Sequence, residues 1–462
     1  MLWWLLACTG ADPVEGPSRS VDTAVLSTGE ATTPTGTVPG PTGSTGTGTT
    51  AVTGDTAPRS TTGLRGTGAT ADTADTALQV PLVTDALLGR CDPTFQAGNQ
   101  APLMHRVTLT GGSRCNDGTP PVLFVRPASD PGEDRWVVHF DGGGRCGSGE
   151  ECAQRWCGEG FYDATKMSSR WAPLSRGAEG ILSDRPENRF AGWNLVLVKY
   201  CSSDFWVGDR RNAVLHTDDG TPYRVHFEGA RIVDDVVDWL QVGGPSDDGL
   251  VSLPAATGAS LVLISGSSAG GMGVNQHLDT VAGGVAPAPA VGLIDAMVTP
   301  DAGLMGVAGL EQAWVDELDH AYHHEVMALY GGRLHPGCVA AEVAAPQTCW
   351  LPTPLQFTYL QTPYFLHHDL RDLSLSDSIR ALGAPLDGYA VASQQLLIDL
   401  AAARPELGVR GASCRDHTAL THDDRFLRHT VHGQTLHDAL WDWLEGGTVH
   451  QVHQAQGDSV CR

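Results

Sequence analysis

The segment Leu261-Val-Leu-Ile-Ser-Gly-Ser-Ser-Ala-Gly-Gly-Met-Gly-Val274 constrains the fold more than any other. Four consecutive apolar residues, Leu261 to Ile264, show no polar alternation. Such a run is expected of a strand covered on both faces, as in the interior of a parallel sheet. Gly266-Ser267-Ser268-Ala269-Gly270 follows directly and fits the pattern G-x-S-x-G. Glycines there permit a sharp strand-to-helix turn that lifts the middle serine hydroxyl out of the sheet. A serine needs that placement, because its free hydroxyl is a weak nucleophile until a base takes its proton. The competing reading is an ordinary Gly/Ser loop in a chain with 56 glycines. The apolar strand in front favours the turn and makes Ser268 a candidate nucleophile.

The rest of the folded part supports the same class. Trp136–Phe140, Trp193–Tyr200, Ser260–Ser265, Val291–Met297, Tyr364–His368 and Val409–Ser413 read as strands. Between them, Ile232, Val233, Val236, Val237 and Leu240 recur at helical spacing over Ala230–Leu240, and Thr435–Glu445 reads as a closing helix. Strands separated by helices imply an α/β fold, a mostly parallel sheet with helices on both faces.

Residues 9–82 differ in kind. They are rich in Thr, Gly, Ser and Pro, and Asp-Thr-Ala recurs at Asp22, Asp55, Asp72 and Asp75. So few large apolar groups cannot offset the entropy of ordering, so a disordered, linker-like stalk is expected before a domain spanning 83–462. The Asp-Thr-Ala repeats lack the spacing of a calcium loop, and no metal is expected there. Leu5-Leu6-Ala7-Cys8 resembles a bacterial lipobox, which makes Cys8 a lipidation candidate and residues 1–8 a short export signal. Any membrane contact would run through that anchor alone. The formal charge is −24, and residues 1–80, with seven acids against three arginines, carry only −4 of it. An acidic folded part disfavours nucleic acid and anionic lipid as partners. A monomer is expected.

Ten further cysteines, an even number in an exported chain, suggest disulfides over zinc ligation. Cys338 and Cys349 form a plausible local pair, whereas Cys146, Cys152 and Cys157 leave several pairings open.

A serine nucleophile requires a base, an orienting acid and an oxyanion site. Asp141-Gly142-Gly143-Gly144 follows an early strand, where a glycine-rich oxyanion loop belongs. Gly142 and Gly143 are candidate backbone donors, with Ala269 directly after the nucleophile. By position the acid is Asp369 or Asp372, with Asp377 behind, and the base is His417 among the rivals His422, His429, His432 and His437. Phe205 and Trp206 are candidate pocket residues. His320, His323, His324 and Glu325 cluster, as do His367, His368 and Asp369, but neither group matches H-E-x-x-H.

Family resemblance narrows these choices. Val137-Val-His-Phe-Asp-Gly-Gly-Gly144, Trp193-Asn194, Tyr200-Cys201, Gly208-Asp209, Gly266-Ser267-Ser268-Ala269-Gly270-Gly271 and Asp301-Ala302-Gly303 resemble, in order, motifs of the pectin acetylesterase family, which includes the Notum carboxylesterases. The similarity runs from about Leu103 to Leu444. Thr362-Pro363 leads to Asp372 where that family has its triad acid, and Ser413-Cys414-Arg-Asp-His417 resembles the segment bearing its base. Departures are Arg145 for a usual tryptophan, Arg371 for a usual tyrosine, and Thr418 where a cysteine often follows the base. The resemblance implies an α/β-hydrolase-like domain that cleaves carboxylic esters without a cofactor, through Ser268, His417 and Asp372. The expected substrate is an O-acetylated polysaccharide such as pectin, or another acyl ester. The alternatives are a serine peptidase on the same fold and a non-enzymatic surface lipoprotein.

Overall fold

The computed structural model describes residues 79–95, 103–455 and 461. The lipidation expected at Cys8 and nearly all of the expected stalk lie outside the described residues. Residues just before Val83, expected in the linker, are tied to the domain. The Arg224 N–H donates to Pro81 O (2.9 Å) and its Nε to Val80 O (3.2 Å).

One sheet of ten strands organises the domain: β1 (Met104–Thr108), β2 (Val122–Arg126), β3 (Trp136–Phe140), β4 (Ser175–Arg176), β5 (Asn194–Val198), β6 (Val262–Ser267), β7 (Ala290–Asp295), β8 (Tyr364–Asp369), β9 (Gly408–Ala412) and β10 (His450–Val452). The spatial order is β10-β9-β8-β7-β6-β3-β5-β2-β1-β4. From β10 to β5 every neighbouring pair is parallel, while β2, β1 and β4 extend one edge antiparallel.

The central strands are apolar on both sides because both sides are covered. Val138 and Ile264 join a core with Ile232, Val236, Leu278 and Leu397. Val137, Leu263, Leu293 and Phe365 join a second core with Leu436, Ala439 and Leu440. Helices Gly229–Val242, Ala269–Gly284 and Leu386–Ala403 supply the first layer, and helix Leu436–Leu444 contributes to the second.

Five disulfides pair Cys91–Cys157, Cys115–Cys201, Cys146–Cys152, Cys338–Cys349 and Cys414–Cys461. The local pair expected at Cys338–Cys349 forms. Cys146 closes a short loop with Cys152, leaving Cys157 for Cys91.

Candidate active site

The turn after β6 is where the backbone is forced. Ser268 has φ 57° and ψ −123°, a conformation that costs a non-glycine residue about 1–3 kcal/mol. The flanking glycines make it possible. A Cβ on Gly266 would lie 2.2 Å from Gly270 O, and one on Gly270 would lie 1.9 Å from Phe140 O. Ser268 N–H donates to Asp295 O (3.0 Å), which ties the turn to the end of β7.

The other candidates gather at the carboxyl ends of neighbouring strands, where open α/β sheets place ligand sites. His417, in the loop after β9, has Nε2 2.8 Å from Ser268 Oγ and Nδ1 2.8 Å from Asp372 Oδ2. Asp372 follows β8 and is fully buried. Its second oxygen, Oδ1, accepts the N–H groups of Ser374 and Leu375 (both 2.9 Å), so the same carboxylate caps helix Leu373–Ala381. Burial opposes charge on the imidazole, but Asp372, aided by Asp295, outweighs it, and the His417 pKa is raised above 6.5. Arg425 Nη1 holds the loop after β9 by donating to His417 O (2.8 Å) and Thr418 O (3.0 Å).

The rival residues do other work. Asp369 lies 3.5 Å from His367 Nε2 in a buried group with Arg410, and burial together with Asp295 drives its pKa up. His437 Nε2 accepts the Arg189 N–H, His429 lies 3.7 Å from Asp416, and His432 stacks edge-on against His453. Glu325 turns inward to Arg145 (2.9 Å), whereas His320, His323 and His324 are exposed. Arg371 is bonded to Asp387 (2.6 Å).

The loop after β3 passes beside Ser268: a Cβ on Gly142 would lie 3.2 Å from Ser268 Cβ. Its carbonyls are held from behind. Trp206 Nε1 donates to Asp141 O (3.2 Å), Lys166 Nζ to Gly142 O (2.8 Å), and Arg155 Nη2 to Gly143 O (2.5 Å). Lys166 also pairs with Asp141 Oδ2 (2.7 Å). Burial alone would raise the Asp141 pKa, but Lys166, together with Arg176 and Lys199, more than offsets this and the pKa falls below its ordinary value. With the carbonyls engaged, the N–H groups of Gly142 and Gly143 find no acceptor among the described residues. Neither Arg155 nor Lys166 stood out in the sequence. Their role depends on helix Gly149–Cys157 and the turn Ala164–Lys166 folding against the loop.

A cleft of about 760 Å³ opens at Ser268 and His417. Phe205, Met272, Met297, Trp314, Leu318 and Trp350 form much of its apolar wall, and Arg145, Glu151 and Glu317 its polar part. Phe205 thus lines the cleft, but Trp206, expected beside it there, does not. Trp206 is fully buried against Phe140 and Tyr200. Both residues have positive φ (56° and 68°), and the chain turns so sharply that the second ring goes under the loop after β3.

Fold and site together define an α/β-hydrolase-like domain with a hydrogen-bonded Ser-His-Asp array at the strand ends. The family model for pectinacetylesterase matches residues 100–383, well over half of the sequence. The chain belongs to that family. Among curated proteins it is 36% identical to human palmitoleoyl-protein carboxylesterase NOTUM over 172 residues, which is 36% of this chain and 29% of the relative. It is 26% identical to the planarian Schmidtea mediterranea NOTUM over 348 residues, 72% of this chain and 61% of the relative. The chain therefore spans only about three tenths of the human relative it matches. In fold it is similar to the crystal structure of the Wnt deacylase Notum from Drosophila, with TM-score 0.59, 24% identity, 76% of this chain and 97% of that one covered.

Proposed function

We propose that the protein is a serine carboxylic-ester hydrolase. The observation that carries this is the continuous array from Ser268 Oγ through His417 to a buried Asp372, opening into a large cleft. His417 Nε2 takes the Ser268 proton as Oγ attacks the acyl carbonyl. Gly142, Gly143 and Ala269 N–H groups face the developing oxyanion, a contribution of several kcal/mol in comparable sites. Asp372 holds the tautomer that leaves Nε2 free to accept and favours the imidazolium that forms. His417 then protonates the leaving alcohol, and water, activated by the same base, releases the acid. No cofactor takes part in this scheme.

The cleft bears on the substrate. An acetyl group would occupy only a small part of about 760 Å³, and much of the wall is aromatic and methionine. A longer acyl chain would bury its methylenes there, at about 0.8 kcal/mol each. We therefore favour a medium or long acyl ester over the O-acetyl polysaccharide expected from sequence. The relatives' description as palmitoleoyl-protein carboxylesterases agrees; the family's name keeps acetylated glycan as the second reading. Five disulfides support an oxidising, extracytoplasmic location. We extend the proposal to a monomeric hydrolase domain tethered through residues 9–78 to a lipid on Cys8.

The test is hydrolysis of a p-nitrophenyl ester series from acetate to dodecanoate. We expect kcat/KM to rise at least about tenfold from acetate to octanoate, the gain from one or two well-buried methylenes. Ser268→Ala should abolish turnover, by at least about a thousandfold, without unfolding. Acetate as the best substrate would return the acetyl-glycan reading, and an active Ser268→Ala would remove the assignment.

A further inference from the structure

Asp295, the last residue of β7, belongs to no motif that marks the triad, yet it touches both halves of the site. Its register partner in β6 is Ser267, the residue before the nucleophile. Its backbone O accepts the Ser268 N–H at 3.0 Å. One carboxylate oxygen, Oδ2, accepts three more donors: Ser267 Oγ at 2.8 Å, Ala419 N at 2.8 Å and Leu420 N at 3.1 Å. The last two lie just beyond the base, His417. Asp295 is 1% exposed, so these donors replace the water that a buried carboxylate would otherwise lack.

The geometry points to Asp295 as a positioning residue that sets the separation of nucleophile and base, an inference that rests on the serine-esterase reading above. Among the described residues, the only direct hydrogen bond between residues 267–269 and 417–420 is the reacting one, Ser268 Oγ to His417 Nε2. That bond cannot set the spacing, because it breaks when the proton moves and again when the alcohol leaves. The Asp295 oxygen is made of no reacting atom and stays through every step. It bonds the elbow through Ser267 and the base loop through two amides, and so keeps the two in reach while their own contact is broken.

The experiment compares wild type with Asp295→Ala, Asp295→Asn and Ser267→Ala on a p-nitrophenyl ester, with fluorophosphonate labelling of Ser268 and thermal unfolding alongside. Asp295→Ala, if folded, should lose about a hundredfold in kcat, the usual cost of a displacement near 1 Å, with KM within about twofold. Asp295→Asn keeps an amide oxygen for the same three donors and should return to within about tenfold of wild type. Ser267→Ala removes one bond to a charged oxygen, and kcat should fall by roughly fivefold to tenfold with KM unchanged. Folded Asp295→Ala with kcat within about threefold of wild type overturns the proposal, and so does Asp295→Asn as inactive as Asp295→Ala, since the effect would then be one of charge. Should Asp295→Ala fail to fold, an undiminished kcat in Ser267→Ala overturns it. A wild type that neither turns over ester nor labels at Ser268 removes the esterase reading itself, and Asp295 with it.

Discussion

Asp372→Asn separates two jobs that one carboxylate performs. Oδ2 receives His417 Nδ1–H at 2.8 Å, and Oδ1 caps helix Leu373–Ala381 by accepting two backbone N–H groups at 2.9 Å each. An asparagine has one oxygen and one NH₂, so it can serve only one side. Turning its oxygen to His417 would aim the NH₂ at two other donors and forfeit both cap bonds, roughly 2–3 kcal/mol in all. Keeping the cap is therefore preferred, and the NH₂ then faces Nδ1. His417 must accept there and carry its proton on Nε2, where it can no longer take the Ser268 proton. The minor flipped form restricts activity by roughly 30-fold to 150-fold on the cap bonds alone. Loss of the charge that stabilises the imidazolium brings the total to about 10³–10⁴ in kcat, or about 4–5.5 kcal/mol. The assay is steady-state hydrolysis of a p-nitrophenyl ester above the pKa of His417, with thermal unfolding to show that the cap survives. A variant that is folded and keeps more than about a tenth of wild-type kcat would refute this account of Asp372.

Two further outcomes follow from the same geometry. Because the net effect of burial, Asp372 and Asp295 raises the His417 pKa, and the base must be neutral, kcat/KM should fall as pH drops through a value above 6.5; an acid limb below 6.5 contradicts the ion pair. Gly142→Ala would place a Cβ 2.7 Å from Ser267 O and push the oxyanion loop off the nucleophile. Its kcat should fall about 10²–10³-fold with the fold intact, and an unchanged kcat would exclude Gly142 from the oxyanion site.

The parallel part of the sheet, except for the short and partly exposed edge strand β10, was legible because it is buried on both faces. Trp136–Phe140 appears at the expected bounds, and the strands expected at 193–200, 364–368 and 409–413 appear within a few residues as β5, β8 and β9. β2 was not anticipated although residues 122–125 are buried; nor were β1 and a hairpin, which are less buried. β1 carries His105 and Arg106, and the hairpin Arg210–His216 with Pro222–Phe227 begins in two arginines and a register shift. Their apolar signal is diluted by the face or edge turned to solvent.

Ser268 could be located in one dimension, because the turn that exposes it demands particular residues at adjacent positions. Gly266 and Gly270 are dictated by contacts of 2.2 Å and 1.9 Å that leave no room for a Cβ. Position left rivals for the base and the acid, and the resemblance to the pectin acetylesterase family then pointed to His417 and Asp372. Asp295, Arg155, Lys166 and the true place of Trp206 emerge only in three dimensions. Each acts through a hydrogen bond to a backbone atom 12 to 124 residues away in sequence, and almost any residue type can supply such an atom. The size of the cleft is of the same kind, since its walls come from segments between Gly144 and His417 whose packing no local pattern encodes.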